Sequence, residues 1–552
     1  MKKLLATFLA LTMLLSTAAC SNGGEPSSSA GGDEESSQSV ETRDINGLTL
    51  PISAEKQEIS VLMVYDSQIV EDPNEIAGVK AMEEATNVHV NWMTYTETEM
   101  LEKFQQLLAT GEYFDVMFPG GTSTYPGGYE QGIEDGVLVD MAENIEKYMP
   151  NYLALLKSSE DAMKQATYDD GKMHSVRVIK GNDEGVDGGG AFMGPAYRAD
   201  ILAEMGADVP ETVEDLHQLL IQCRDNGMTA PMTLESDGGT SLSWAWGVNT
   251  DWASKYWQYD YSTDTVLLAP FAPGWDDWLD TMRDWYAEGL IDKNFTAGSA
   301  AISGDYSNFE NDQTLFLSFW FNFLMGKELY TQGYVSNDDL DLQPLGGIVL
   351  NKGDDPVKCS GNACIQQEIY VTTQAKDKID IISKWLDYQY TQEGINYRYY
   401  GIENESYVVD ETGNITFTDA ILKNPDGISV SDALGKYAMR TYMGFQSETA
   451  EISVQVATSS DGAIMQIKAG EVWASPEETI SIPVGVQLNQ EENEYVNSNM
   501  TDIITLMQER MVKYILGTDT TSHDEFRETL KSHNIDEITQ CYQDACDRFN
   551  AR

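Results

Sequence analysis

Apolar runs alternate with amphipathic segments near residues 58–118, and this alternation restricts the fold more than any other feature of the sequence. The apolar runs are "EISVLMVYD" (58–66), "VHVNWMTY" (88–95) and "FDVMF" (114–118). The segment "EMLEKFQQLLATGE" between the last two has the composition of a helix. Strands that alternate with helices predict a parallel sheet covered by helices. Ligands bind beyond the carboxyl ends of such strands, so the loops that begin at Asp66, Tyr95 and Pro119 are predicted binding loops.

A second structural unit is predicted from "YRADILAEMGADVPETVEDLHQLL". Residues 198–205 are predicted to form a helix that Gly206 ends, and Thr212 with Asp215 forms a capping box for the next helix. The apolar positions on one face of that helix are Val213, Leu216, Leu219, Leu220 and Cys223. Between the two units lies "KGNDEGVDGGGAF", whose three adjacent glycines suit a hinge.

The first twenty residues have the order of a bacterial secretory signal. Lys2 and Lys3 precede an apolar run, and small residues then lead to Cys20. The apolar run is shorter than the roughly 20 residues that cross a bilayer. A cysteine at the end of the small residues resembles the lipobox of bacterial lipoproteins, which implies that Cys20 is acylated. An ordinary cleaved signal with an incidental cysteine is the alternative.

Residues 21–54 are predicted to be a flexible acidic linker, because Ser, Gly, Glu and Asp dominate residues 21–43 and leave little apolar surface to bury. A chain of this length and composition reaches about 25 to 30 Å. The predicted arrangement is therefore a lipid anchor, a linker and a body held near the outer face of the cell membrane.

Charge and length limit the functional class. The chain has 90 acidic and 34 basic residues and a formal net charge of −56, which excludes nucleic acid as a partner. A body of roughly 500 residues exceeds what one core usually supports, so two domains are expected. The motifs of serine hydrolases, nucleotide-binding loops and zincins are absent from the sequence. No cofactor is predicted.

Cysteine and histidine spacing gives no support for a metal site. The five histidines are scattered and no Cys-x-x-Cys occurs, so a zinc site is not predicted. Cys359 and Cys364 flank a short turn where a disulfide could form, whereas Cys541 and Cys546 are badly spaced for a bridge on a helix. The Asp-rich loop "NDEGVDGGG" has no calcium-ligand spacing, and the sequence leaves both calcium and the disulfide open.

Seven positions carry a resemblance to a known family. Arg198, Asp200, Leu202, Gly206, Pro210, Thr212 and Asp215 resemble the R-x-D-x-L-x-x-x-G-x-x-x-P-x-T segment of extracellular solute-binding proteins that serve carbohydrate ABC importers. "DWYAEGLIDKNF", "WLDYQYTQEGINYRYYGIENESY" and the C-terminal "YILGTDT" look similar to later segments of the long, roughly 500-residue branch of that family.

The resemblance implies an α/β fold of the two-lobed type II periplasmic-binding-protein architecture. Each lobe would be a mixed sheet flanked by helices, and hinge strands would join the lobes. Residues 55–180 plus 345–400 would form lobe 1, and residues 185–335 plus 403–552 would form lobe 2, with the C-terminal helices packing across both.

The predicted ligand is an oligosaccharide, whose apolar ring face needs aromatic side chains and whose hydroxyls need polar ones. Trp244 and Trp246 lie among serines, and one of the two is expected in the core. Tyr125 lies in a Gly-rich loop at a strand end. The resemblance implies that Trp320 stacks on the ligand and that Asp66 binds a sugar hydroxyl. The alternative role of Asp66 is a helix N-cap. Trp473 lies in an irregular stretch that could border the cleft. The ligand-binding candidates are Asp66, Tyr125, Trp244, Trp246, Trp320 and Trp473.

The expected function is a non-catalytic, monomeric receptor that passes its oligosaccharide ligand to ABC permease subunits. Two alternatives stay open at this point: an extracellular carbohydrate-active enzyme, and a peptide-binding receptor of the same fold. Because Lys and Arg are scarce, a neutral oligosaccharide is favoured over a uronate-containing one.

Overall fold

The computed structural model describes residues 41–65, 67, 69–120, 124–182, 185–191, 193–297, 308, 311–321, 340–358, 363–441, 443–458 and 461–552. Residues Thr42–Arg552 form one compact unit. The strands are β1 Arg43–Ile45, β2 Leu48–Leu50, β3 Gln57–Val64, β4 Val88–Tyr95, β5 Val116–Phe118, β6 Val176–Asn182, β7 Gly185–Val186, β8 Met193–Arg198, β9 Trp257–Asp260, β10 Thr265–Leu268, β11 Phe316–Phe321, β12 Leu342–Pro344, β13 Val357–Lys358, β14 Ile365–Val371, β15 Tyr407–Val409, β16 Ile415–Phe417, β17 Phe445–Ser447 and β18 Glu478–Thr479.

Helices cover the strands and connect them. The helices of the described residues are α1 Ala77–Thr86, α2 Glu97–Thr110, α3 Gly128–Glu134, α4 Ala142–Tyr148, α5 Pro150–Lys157, α6 Glu160–Ala166, α7 Ala199–Met205, α8 Val213–Asp225, α9 Trp275–Glu288, α10 Ile379–Tyr388, α11 Gln392–Tyr399, α12 Asp419–Leu422, α13 Val430–Gly435, α14 Glu448–Thr458, α15 Asp461–Ala474, α16 Gln490–Ile515, α17 His523–Lys531 and α18 Ile535–Asn550. Helix α8 begins with the predicted capping box, in which Thr212 and Asp215 exchange hydrogen bonds.

The large sheet has the strand order β17-β6-β14-β5-β3-β4, and β7 pairs with β6 outside this path. Strand β3 is parallel to both β4 and β5, as the alternation of strands and helices predicted. Strand β14 is antiparallel to its neighbours β5 and β6, so the sheet is mixed. The carboxyl ends of β3, β4 and β5 therefore meet at one edge, where the loops after them gather.

The first core packs on this sheet and begins earlier in the chain than predicted. Strands β1 and β2 form a hairpin, and its side chains Leu48 and Leu50 are buried with the first core. The linker boundary at residue 54 is therefore corrected to a position before β1. Asn46 and Gly47 both have positive φ, and an Asn-Gly pair between apolar residues is a strong hairpin signal that the sequence analysis overlooked.

Residues 407–454 also pack on the first core, although the sequence analysis grouped them with residues 185–335. Tyr407, Leu434 and Val454 are buried among the side chains of the first core. Strand β17 extends the edge of the large sheet by parallel pairing with β6. This pairing brings the segment back to the sheet, and it could not be read from local sequence patterns.

The second core contains α8, α9, the β9–β10 hairpin and the C-terminal helices α16 to α18. The aromatic residues of α9, among them Trp275, Trp278 and Trp285, recur at helical spacing and are buried there. The loop before the β9–β10 hairpin carries buried acids. Burial is the main cause that raises the pKa of Glu235 to about 10, and repulsion from Asp237 and Asp251 raises it further.

A small third core lies where the chain crosses between the two larger cores. Strand β8 pairs antiparallel with β11 and β12, and α15 packs on this sheet. The Trp473 side chain is buried here, and its indole Nε1 donates a hydrogen bond to the Pro195 carbonyl oxygen at 2.8 Å. The Trp473 ring lies directly against the Cα of Gly194, where a Cβ would overlap it.

We expect Gly194→Ala to lower the free energy of unfolding by about 1 to 3 kcal/mol, because the added methyl group overpacks the Trp473 ring. Gly346→Ala is the matched control, since no atom lies within 4 Å of its added Cβ. Urea denaturation of both variants measures the difference. Equal stability of the two variants would contradict the assigned packing of Trp473.

Candidate functional site

The carboxyl ends of β3 and β5 and the start of α2, which follows β4, border a cavity of about 500 Å³, which we call the strand-end cavity. The loop after β3 contributes Tyr65 and Ser67, the start of α2 contributes Glu97, and the loop after β5 contributes Gly120. These are the three loops that the sequence analysis predicted to bind ligand. Their convergence follows from the parallel pairing of the strands.

A second cavity of about 800 Å³ lies between the two large cores, and we call it the intercore cavity. One wall comes from β14 of the large sheet, with Gln366 and Gln367, and from a separate buried aromatic cluster that includes Tyr125. The opposite wall comes from residues 486–493 and Tyr542, which pack against the second core. The volume is within the range of about 300 to 1,000 Å³ that is typical of small-molecule sites.

A third cavity, of about 1160 Å³, lies beside the segments that cross between the cores, and we call it the crossover cavity. It shares the lining residues Glu451 and Gln455 with the strand-end cavity. The strand-end cavity in turn shares Gly120 and Gln367 with the intercore cavity. The three cavities are therefore neighbours, and we refer to them together as the groove.

A β-bulge positions the glutamines of the intercore cavity. The register between β14 and β6 shifts between Ile365 and Glu368, which places Gln366 and Gln367 in the irregular part of the strand. Successive residues of a regular strand point to opposite faces, whereas both of these line the same cavity. The bulge thus presents two neighbouring amide groups to one ligand space.

An ion pair forms the adjoining part of the wall. The Arg177 guanidinium lies 2.9 Å from the Glu368 carboxylate, and both side chains are largely buried. The Tyr168 hydroxyl donates to Glu368 Oε1 at 2.7 Å and accepts from Arg177 Nη2 at 2.9 Å. Burial raises the pKa of Tyr168 despite the adjacent guanidinium. These three groups satisfy one another and hold the wall in place.

Tyr125 is fixed at both its backbone and its hydroxyl group. Its backbone N–H donates to the Tyr370 hydroxyl at 3.0 Å, and its own hydroxyl donates to Asp135 Oδ2 at 2.8 Å. The Tyr370 ring stacks between the rings of Phe104 and Tyr129. The loop that carries Tyr125 is therefore anchored to a rigid aromatic cluster, and it borders the intercore cavity.

The groove is acidic. The acidic side chains that line it are Glu97, Glu130, Glu134, Asp187, Glu368, Glu448, Glu451, Glu471 and Glu477, and the basic ones are Arg177, Lys180, Lys358 and Arg440. Burial raises the pKa of Glu451, at the junction of two cavities. Among the described residues, no group of three or more His, Cys, Asp or Glu side chains is arranged to hold a metal ion.

Three of the four basic side chains that line the groove already have partners. Arg177 pairs with Glu368, and the Lys358 ammonium donates to the Ala474 carbonyl oxygen at 2.7 Å. Arg440 donates to Ser431 Oγ at 3.1 Å. A Cβ added to Gly189 would lie 2.5 Å from the Lys180 ammonium nitrogen and 3.0 Å from a carboxylate oxygen of Glu448. These two charged groups are therefore near each other.

The predicted tryptophans lie away from the groove where their side chains are described. Trp244 and Trp246 belong to a short 3-10 helix, Ser241–Trp246, and neither occurs among the described lining residues of the groove. Trp246 packs against the second core. The Trp473 ring is enclosed by the third core, so its irregular neighbourhood was a misleading indication of a ligand role.

Other predicted positions are described only in part or not at all. The backbone of Trp320 pairs with Gly194 in the antiparallel pairing of β11 and β8. Asp66, Cys20 and Cys359 lie outside the described residues, although the chain neighbours of Asp66 line the strand-end cavity.

Tyr542 is a lining residue that was not predicted from the sequence. This half-buried side chain lines the intercore cavity opposite the wall of Tyr125, and its ring packs against Trp257 with a centroid distance of 4.6 Å. The signal available in the sequence was an aromatic residue on the amphipathic helix α18. Its position at a cavity depends on how α18 packs, which the sequence pattern does not specify.

Comparisons with known proteins agree with this architecture. Residues 77–320 match the family described as bacterial extracellular solute-binding protein. The substrate-binding protein FusA of a fructooligosaccharide ABC transporter from Streptococcus pneumoniae is 23% identical over 365 residues. That alignment spans 63% of this chain and 63% of FusA.

Solved structures extend the likeness over most of the chain. A solute-binding protein from Bifidobacterium longum infantis, described as binding HMO, aligns with a TM-score of 0.68 and 15% identity and covers 90% of this chain and 99% of its own. The complex of Streptococcus pneumoniae FusA with kestose aligns with a TM-score of 0.60 and 17% identity, over 90% and 100% of the two chains. The fold is that of an extracellular solute-binding protein.

The predicted family resemblance and fold class are thus confirmed. The matched family and the relatives are solute-binding transport proteins rather than enzymes, and the family description agrees with a location outside the cytoplasmic membrane. Within the described residues, none of the helices is both long and apolar enough to cross a membrane.

Tyr370→Phe tests the anchoring of the loop that carries Tyr125. The variant keeps the ring stacking but removes the acceptor of the buried Tyr125 N–H, so we expect a loss of about 1 to 3 kcal/mol in the free energy of unfolding. Tyr261→Phe, which removes an exposed hydroxyl from the second core region, is the control. If urea denaturation gives the same value for both variants, Tyr370 does not anchor the loop.

Proposed function

We propose that this chain is a membrane-tethered extracellular receptor that captures an oligosaccharide in the groove and delivers it to the permease of an ABC importer. The observation that carries the proposal is the intercore cavity, whose walls come from two separate cores. Tyr542 on one wall is half-buried and offers a ring for stacking on sugars, and Tyr125, which is 8% exposed, borders the cavity on the other wall. Gln366 and Gln367 offer amide donors and acceptors for hydroxyl groups.

Two walls from separate cores explain how binding would signal to the transporter. A ligand that contacts both walls is bound more tightly when the walls are close together than when they are apart. Its binding therefore shifts the population toward the closed arrangement by the difference in affinity. The permease would recognise this closed form. The segments around the crossover cavity would supply the hinge.

The charges of the groove favour a neutral oligosaccharide. Recognition of a uronate calls for an available Arg or Lys, whereas Arg177, Lys358 and Arg440 already have partners and Lys180 lies beside Glu448. Carboxylates and amides are suitable acceptors and donors for sugar hydroxyls. The names of the relatives, which refer to a fructooligosaccharide transporter and to HMO binding, support an oligosaccharide as the ligand class.

The lipid anchor at Cys20 completes the proposal. We expect Cys20→Ser to release the protein from cells into the medium and to abolish metabolic labelling with a fatty acid, since the acylated sulfur would be missing. Cys223→Ser, which changes a cysteine buried in the body, is the control. Retention of Cys20→Ser at the membrane would contradict the anchor but not the ligand site.

A thermal-shift screen of the full-length chain tests the ligand class. Neutral, amino and acidic oligosaccharides of graded length are compared with short peptides, and each sugar is recovered and analysed by mass spectrometry. A ligand at 100 times its Kd stabilises the folded state by about 2.7 kcal/mol. We expect a neutral oligosaccharide to raise the midpoint and to be recovered intact. A cleaved sugar would favour a carbohydrate-active enzyme, and a response to peptides alone would exclude the proposed ligand class.

Variants of the two tyrosines test the assigned site. We expect Tyr125→Ala and Tyr542→Ala each to weaken binding of the sugar found in the screen by about tenfold, which corresponds to about 1.4 kcal/mol of lost stacking. The Phe variants keep the ring and should bind within a few fold of the parent, measured by calorimetry. Tyr261→Ala removes an exposed ring outside the groove and is the control. Unchanged affinity in both alanine variants would exclude the intercore cavity as the site.

A further inference from the structure

Two carboxylates are buried in a loop of the second core, apart from the groove. The loop follows Met232, which forms parallel bridges with Ile291 and Phe316. Glu235 is 1% exposed and Asp237 is 6% exposed. Glu235 Oε2 is fully buried and has no hydrogen-bond partner among the described residues.

Asp237 has hydrogen bonds, but neither acid has a basic partner. Asp237 Oδ1 accepts from the Gly239 N–H at 2.9 Å, and its Oδ2 accepts from the Tyr256 hydroxyl at 2.7 Å. In the described part of the chain, no Lys, Arg or His nitrogen forms an ion pair with Glu235 or Asp237. Buried charges are stable in proteins when they are paired or when they coordinate a metal.

Gly239 shows where the oxygen atoms converge. The position of a Cβ on Gly239 lies 2.8 Å from the Thr250 carbonyl oxygen, 3.0 Å from Glu235 Oε2 and 3.1 Å from Asp237 Oδ1. The φ of Gly239 is outside the left-handed region, so the backbone there does not require glycine. What requires glycine is space, because three oxygen atoms surround the place that a side chain would take.

We infer that Glu235 Oε2, Asp237 Oδ1 and the Thr250 carbonyl oxygen bind a divalent cation of the hard, oxygen-preferring type, with Ca²⁺ as the best-matched ion. Carboxylate and backbone carbonyl oxygens are the protein ligands of Ca²⁺, and water completes a coordination number of 6 to 8. Two carboxylates balance the charge of a divalent ion. The set has only two acidic side chains, and it therefore differs from the clusters of three or more that are absent among the described residues.

The bound ion would connect two parts of the second core. Glu235 and Asp237 belong to a turn in which the Glu235 N–H donates to the Gly239 carbonyl oxygen, while Thr250 comes from beyond the 3-10 helix. The turn also contacts α16, since Gly238 lies against Met511 and Ile515. An ion at this position would hold the turn, the Thr250 segment and the adjacent C-terminal helix together, so its effect is expected in the stability of the folded chain.

Metal binding by the full-length chain is measured after treatment with EDTA, first with Tb³⁺ as the probe. The Tyr256 ring, whose hydroxyl contacts Asp237, is placed to sensitise Tb³⁺ luminescence at this site. We expect one Tb³⁺ per chain, displaced by Ca²⁺, and a rise in the unfolding midpoint when Ca²⁺ is added. Glu235→Gln should abolish both the luminescence and the Ca²⁺-dependent rise. Glu204→Gln, which changes an exposed glutamate of α7, should leave both unchanged.

A metal site and a buried protonated acid predict different responses of the unfolding midpoint to Ca²⁺ and to Glu235→Gln. If Glu235 simply carries a proton, Ca²⁺ leaves the midpoint of the parent unchanged and Glu235→Gln is as stable as the parent or more so, which would overturn the inference. An equal Ca²⁺-dependent rise in the parent and in Glu235→Gln would also overturn it, because the ion would bind elsewhere. If Glu235→Gln does not fold, the Tb³⁺ stoichiometry of the parent decides, and the absence of sensitised binding excludes the site.

Discussion

The pairing of β14 between β5 and β6 is the contact on which the arrangement of the groove depends. The chain leaves the large sheet after β6, builds most of the second core, and returns to the same sheet as β14. Strand β17 brings a later segment back to the same sheet by pairing with β6. The second core is thus connected to the first through several crossings, and the groove lies alongside them. Any relative movement of the cores must be taken up by those crossing segments, so under the proposed function a ligand bound beside them would be coupled to that movement.

The chemistry of the groove follows from this arrangement and from a shortage of free positive charge. The guanidinium of Arg177 is held by Glu368 and Tyr168, and the ammonium of Lys358 is held by a backbone carbonyl. What remains for a ligand is a set of amides, carboxylates and aromatic rings. Such a surface suits a polyhydroxylated, uncharged molecule, whose hydroxyl groups can both donate and accept hydrogen bonds while its apolar ring faces stack.

Local patterns predicted the local elements well. The boundaries of β4 coincide with the predicted run of residues 88–95, and the capping box at Thr212 and Asp215 is present. The aromatic residues of α9 are buried, as their helical spacing indicated. These features depend on contacts within a few residues, so the sequence contains most of the information that determines them. The missed β1–β2 hairpin also had a local signal, an Asn-Gly turn between apolar residues.

The residues that line the proposed ligand site were much harder to predict. Tyr125 borders the intercore cavity because its loop follows the parallel strand β5 and therefore lies at the carboxyl edge of the sheet. This position can be predicted from the sequence. Trp473 was attractive for the same chemical reason, yet its ring packs against Gly194 and its indole N–H is bound by Pro195. Gln366 and Gln367 share a cavity because of a bulge, and Tyr542 faces it because of the way α18 packs. Side-chain type shows what a residue can bind, but only its surroundings decide whether it is available.

The sequence by itself indicated the class of the protein through the strand and helix alternation, the acidic charge that argues against nucleic acid as a partner, and the motif from Arg198 to Asp215. The tertiary structure decided which segments share a core, where the groove runs and which polar groups remain free to bind. The physical reason is the range of the interactions. Propensity, capping and periodicity act within one element, whereas strand order, bulge register and the burial of Glu235 or Trp473 result from contacts between segments far apart in the chain.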